Sequence, residues 1–149
     1  KHLALPPRAG RGKILDEIIK TLVLPSLLQP TFLTGHPLGL SPLAKADPAA
    51  PGSVRRFQLI VAGMELVNAY AELNDPDEQR RRFQALAKLR RSGDREAPPP
   101  DEDFLLALQT GLPPTAGWGL GVDRLTMLLA NQSSLKEVII FPTLKPRSR

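Results

Sequence analysis

Residues 54–74 read VRRFQLIVA, then Gly63, then MELVNAYAELN. Two strand-like runs meet at Ala62-Gly63, and glycine supplies the positive φ that tight hairpin turns demand. The stretch therefore predicts two antiparallel strands, over 54–62 and 64–74. An isolated hairpin is marginal in water, so it needs a larger sheet. TFLTG at 31–35 reads as a further short strand closed by Gly35. Helical spacing flanks these strands. Residues 13–29 place Ile14, Leu15, Ile18, Ile19 and Leu22 on one face and end near Pro25. Residues 75–91 open with Asp75 as N-cap and Pro76 at the first position, and close on Arg90 and Arg91 before Gly93. Shorter helices are predicted over 101–111 and about 122–131. Residues 36–52, with Pro37, Pro42, Pro48 and Pro51, read as loop, and GDREAPPP at 93–100 as a linker. EVIIFP at 137–142 reads as a last buried strand or turn. The fold class expected is α+β, a mainly antiparallel sheet flanked by helices.

The 149 residues suffice for one domain or part of one, and the 42% hydrophobic content supports a core. No run approaches the roughly 18 apolar residues of a membrane helix. Lys and Arg number 20 against 15 Asp and Glu, a net charge of +5. That balance suits anionic partners such as nucleotides or nucleic acid, or else is a basic surface with no specific partner. With no cysteine and only His2 and His36, structural disulfides, Cys-based zinc sites and His-rich metal sites are excluded. Residues 1–11 are short and broken by Pro6 and Pro7, unlike a secretory leader. The first residue is Lys1 rather than Met, which suits a processed, trimmed or partial chain.

GWGLGVDR, residues 117–124, sets glycine at every second position. The dinucleotide pattern G-x-G-x-x-G fails here, because its third glycine would fall at Val122 or Arg124. In a strand, side chains alternate between faces. Gly117, Gly119 and Gly121 therefore strip one face, and Trp118, Leu120 and Val122 are expected on the other, in the core. A planar ring could lie on the bare backbone, covered by the Arg124 guanidinium, which stacks on rings and attracts phosphate. The following helix N-terminus favours an anion. Glycines also permit plain close packing of helix on strand, so both readings stay open on this stretch alone. Asp123 reads as a structural acceptor or helix cap.

On the second hairpin strand, Asn68, Tyr70 and Glu72 share a face, opposite Val67, Ala69, Ala71 and Leu73. A face carrying an amide, a phenol and a carboxylate is either solvated or a ligand site. Its acceptor oxygens suit an amine or ammonium group. Glu65 has the wrong parity and joins this face only if a β-bulge lies between it and Asn68. His36 reads as a loop hydrogen-bonder and Lys45 as a surface or loop contact.

HPLGLSPLAK, MELVNAYAELNDPDEQRRRF, GLPPTAGWGLGVDRLTMLL and KEVIIFPTLKP, in that order, closely resemble the C-terminal half of the class II lysyl-tRNA synthetase catalytic domain. The resemblance covers about residues 12–146, leaving 1–11 and 147–149 as flanking tails, with motif 3 at 117–129. It implies ATP-dependent activation of lysine and transfer to tRNA-Lys, with ATP as substrate and Mg2+ as cofactor. It further implies that Arg124 stacks on adenine and touches phosphate, and that Gly117, Gly119 and Gly121 floor the ATP site. Asn68 and Glu72 would hold the amino groups of lysine, Tyr70 would line that pocket, and Glu65 would bind Mg2+. The family's second metal-binding glutamate falls at Gln58, an uncharged and weaker ligand. No F-R-x-E motif 2 occurs, and the motif 1 dimer helix and OB-type anticodon domain are not recognisable. The chain thus reads as part of a longer, usually homodimeric enzyme. The alternatives are a non-catalytic scaffold that has kept the fold, or a paralogue that lysylates an elongation factor. Cytoplasm and mitochondrion both host such enzymes, and the basic, Arg/Pro/Ala-rich insert leans towards the mitochondrion.

Overall fold

The computed structural model describes residues 11–93 and 99–143. The tails and most of the expected linker lie outside these residues. The chain divides into two compact units, Lys1–Gly119 and Leu120–Arg149.

The first unit is built on a four-stranded sheet. Strand β1 (Thr31–Thr34) pairs antiparallel with β2 (Arg56–Val61), and β2 pairs antiparallel with β3 (Met64–Ala71). Strand β4 (Ala116–Leu120) follows beside β3. The β2–β3 turn has φ of 51° at Ala62 and 75° at Gly63, the paired positive values of a type I′ hairpin. It is clamped from outside: the Ala62 and Gly63 N–H groups donate to the Leu28 and Leu27 carbonyls, at 3.0 and 2.9 Å.

Helix α1 (Arg11–Ile18) runs into a π turn at Ile19–Val23 and a 3-10 turn at Leu24–Ser26. The single helix expected over 13–29 is therefore three short pieces. Pro25 lacks the N–H that would continue the α ladder, so the chain changes its winding just before it.

Helix α2 (Pro76–Arg91) begins as its sequence demands. The Asp75 carboxylate accepts from the Asp77 and Glu78 N–H groups at 2.9 and 3.0 Å, satisfying donors the helix leaves open. Its inner face carries Gln79, Arg82 and Phe83, all buried. Arg82 donates to the Ala44 carbonyl at 2.7 Å and to Glu78 at 2.9 Å, pinning the 42–44 loop to the helix. Phe83 meets Phe104 of α3 (Glu102–Gln109) with ring centroids 6.2 Å apart. The same loop is laced to the end of β3. Lys45 N–H donates to Ala71 at 2.8 Å and Leu73 N–H to Leu43 at 2.9 Å. Ala44, Ile60, Ala69, Leu73, Leu105 and Leu108 form much of the buried apolar set.

In the second unit, α4 (Val122–Leu129) buries Met127, and a 3-10 turn at Leu135–Glu137 is closed by a capping box from Ser134. The tail departs from expectation. Residues 137–142 form no strand, and Ile140 and Phe141 are 86% and 90% exposed. The nearby Ile139 N–H closes only a local turn onto Leu135, so the apolar run lacks the neighbour that a buried strand requires.

Candidate active site

The hairpin sets the site through a single irregularity. Leu59 faces Val67, yet Ile60 faces Glu65, so Leu66 is an extra residue in β3. This is a β-bulge, which shifts parity by one. Glu65 is thereby brought to the face of Asn68, as the sequence required for the two to act together. Gln58, directly across from Asn68, donates its amide to the Glu65 carboxylate. Arg56, across from Tyr70, donates Nε to Asn68 Oδ1 at 2.8 Å and Nη1 to Ser41 Oγ at 2.7 Å. One sheet face therefore carries Arg56, Gln58, Glu65, Asn68, Tyr70 and Glu72.

Burial tunes this face. It raises the Glu72 carboxyl above its ordinary value, because the charged form loses hydration. It also raises the Tyr70 phenol, with the Glu72 charge adding to the shift and Arg56 opposing it. His36 is buried and lowered, first by desolvation and then by the Arg56 charge. Its ring lies 3.2 Å from the Leu33 carbonyl, the loop hydrogen bond expected of it. Lys45 reaches Asn74 Oδ1 at 2.9 Å and joins two loops.

The three glycines of β4 and its exit have three separate reasons. A Cβ on Gly117 would stand 2.5 Å from Glu72 Oε1, so the bare backbone admits that carboxylate. A Cβ on Gly119 would meet nothing within 4 Å, so that position opens onto free space. Gly121 lies outside the strand as the N-cap of α4, and the Arg124 side chain folds back to 3.3 Å from where its Cβ would be. The cap expected of Asp123 is thus taken by the Gly121 backbone, and Asp123 stands in the first turn. Trp118 and Val122 are not in the core: they are 70% and 66% exposed, while Leu120 is half-buried. Alternation sets Trp118 on the face away from Gly117, but no described residue covers it there, and Val122 opens α4 instead of continuing the strand.

Mg2+ is commonly held by one or two carboxylates together with substrate phosphates and water. Glu65 fits such a ligand. Gln58 turns its amide nitrogen, not its oxygen, towards Glu65, and an N–H repels a cation. Among the described residues no three His, Cys, Asp or Glu side chains converge to form a complete metal cage.

A family model for tRNA synthetases class II (D, K and N) matches residues 18–145. The chain belongs to this class II synthetase family. Its relatives include the lysine–tRNA ligase of Moorella thermoacetica, 48% identical over 145 residues, which covers 97% of this chain and 30% of the relative. The corresponding ligase of Dehalococcoides mccartyi (strain 195) is 51% identical over 148 residues, covering 99% of the chain and 30% of the relative. That of Roseiflexus castenholzii is 50% identical over 140 residues, covering 94% and 29%. The chain thus spans about 30% of the length of these curated relatives. They are named from bacteria and give no support to a mitochondrial lean.

Within this class II synthetase chain, sequence reasoning missed Arg56 and Ser41. A signal was available for Arg56. Counting back from the turn with a one-residue slip sets Arg56 opposite Tyr70 and on the face of Gln58. Ser41 carries no such signal, because it comes from a loop whose path depends on α2.

Proposed function

We propose that this chain supplies the lysine pocket and the adenine side of the ATP site of a lysine–tRNA ligase. The observation that carries the reading is the Glu72 carboxylate, desolvated and seated against the bare backbone of Gly117. A partly buried anion is costly unless a cation joins it. An ammonium group of the substrate answers that need, and the phenol of Tyr70 lines the same face. The amino-group contact expected of Asn68 does not fit, because its oxygen is engaged by Arg56; its N–H donors suit the carboxylate end of the amino acid instead.

Glu65, oriented by Gln58, is the proposed Mg2+ ligand; the ion would neutralise phosphate charge during attack by the lysine carboxylate on the α-phosphorus. Gly119, which opens onto free space, is the proposed floor for adenine; the floor role expected of Gly117 does not fit, because Glu72 occupies the space beside it. Within the second unit, Arg124 folds back over Gly121, and its guanidinium is the proposed contact for the nucleotide's ring and phosphate. The protein's contribution is positioning and charge, with little acid–base chemistry. The aminoacyl group then passes to tRNA-Lys.

The test is a chimera in which this chain replaces the matching segment of the Moorella ligase. Lysine-dependent ATP–pyrophosphate exchange is expected. A folded chimera that binds ATP but never exchanges would overturn the reading in favour of a non-catalytic scaffold.

A further inference from the structure

We propose that Arg56 is a positioning residue that locks the Asn68 amide with its NH2 end presented to the substrate, so that this position selects an anionic oxygen. The inference rests on the lysine-pocket reading for its ligand, but its geometry stands apart from that reading. A guanidinium has five donors and no acceptor. The 2.8 Å contact from Arg56 Nε therefore fixes which end of Asn68 faces it: the oxygen. The amide NH2 is left on the other side of the group.

Arg56 is itself held. Its Nη1 donates to Ser41 Oγ at 2.7 Å and reaches the Leu40 carbonyl at 3.4 Å. Ser41 is buried, and its loop is bound to α2 through the Pro42 and Ala44 carbonyls, which accept from Arg82 at 3.3 and 2.7 Å. The chain of contacts runs from helix to loop to guanidinium to amide. A side chain fixed at both ends loses little further freedom when substrate arrives, which favours binding.

The strand then has two poles of opposite demand. Glu72 asks for a cation and Asn68 for an anionic oxygen, and they lie four residues apart on one face. A ligand carrying an amine and a carboxylate satisfies both. A diamine satisfies only one.

Calorimetry on the chimera with the Moorella ligase separates these demands, using L-lysine and 1,5-diaminopentane, which is lysine without its carboxyl group. Arg56→Met is expected to lower the ratio of lysine affinity to diamine affinity about tenfold, the scale of one charge-assisted hydrogen bond. Ser41→Ala, which loosens only the tether, is expected to lower it about threefold. Equal weakening of both ligands would overturn the proposal, since a merely structural arginine moves both alike. Should Arg56→Met fail to fold, Arg56→Gln, whose amide can present either a donor or an acceptor to Asn68, carries the same expectation.

If the chimera carrying the wild-type segment binds neither ligand, the lysine-pocket reading fails and NMR decides the positioning role. The Asn68 side-chain amide resonances are expected to move towards random-coil positions in both Arg56→Gln and Ser41→Ala. Unmoved Asn68 resonances would overturn the proposal even if lysine binds.

Discussion

From Glu65 to Glu72, β3 furnishes its face with a carboxylate, an amide, a phenol and a second carboxylate. From Gly117 to Gly121, β4 and its exit furnish almost nothing. Glu72 nevertheless joins the hairpin to the start of β4, because it reaches into the space that Gly117 leaves. The hairpin holds its groups by mutual hydrogen bonds: Gln58 on Glu65, and Arg56 on Asn68. The glycine segment works by vacancy, and its effect depends on what enters the gap. Changes in the hairpin should therefore alter affinity through charge, and changes in β4 through shape.

The largest expected effect is on the charge side. Glu72→Gln should weaken lysine binding by about 2–3 kcal/mol, the scale of hydrogen bonds to a charged group. Stability should move the other way. The folded-state pKa of Glu72 is raised, so its ionised form opposes folding at neutral pH, and that cost vanishes as the pH falls below the unfolded value. Thermal melting should thus find the Gln variant at least as stable as the parent at pH 7, with the difference closing in acid. Lysine affinity of the parent should begin to fall at a higher pH than an ordinary glutamate would dictate. A destabilised Gln variant at pH 7 would break the comparison at its charged end.

Next comes Arg124→Ala, which should cost about 1–2 kcal/mol in ATP affinity in the complete enzyme, as for a desolvated cation–π contact. Equilibrium dialysis with ATP reads it directly, and unchanged affinity would overturn the nucleotide role proposed for Arg124. Gly117→Ala should act on lysine rather than ATP. The new methyl displaces the end of the Glu72 side chain, and lysine affinity should fall by about 1 kcal/mol with little change in melting temperature. Gly119→Ala is the smallest. No atom stands within 4 Å of its Cβ, so stability should stay within about 0.5 kcal/mol of the parent. Any loss should appear only when adenine is present.

The hairpin was more legible than the glycine strand, for a physical reason. Period-two alternation set Asn68, Tyr70 and Glu72 on one face, and the wrong parity of Glu65 demanded a bulge, which lies at Leu66. Those features are local and written in side chains. Along β4, alternation separated the faces correctly, yet burial depends on what else packs there, and Trp118 and Val122 stand exposed. Gly121 looked like a strand residue because a cap and a strand can share extended backbone; its φ and ψ are −73° and 91°. The apolar residues of 137–142 misled in the same way, since hydrophobicity does not supply a neighbour. Arg56 is one of many arginines in a basic chain, and only the register across the hairpin marks it out.

The extra residue at Leu66 works like a dislocation in a lattice. On one side of it β3 keeps the phase set by the turn, and on the other it keeps a phase one step out. The strand can therefore exchange residues at its Glu65 end without disturbing the alternation from Asn68 to Glu72. Removing Leu66 would heal the dislocation and leave Glu65 two residues from Asn68, on the same face by plain alternation, while every hydrogen bond of the remaining ladder could re-form. The defect is what allows one strand to obey two separate requirements at once.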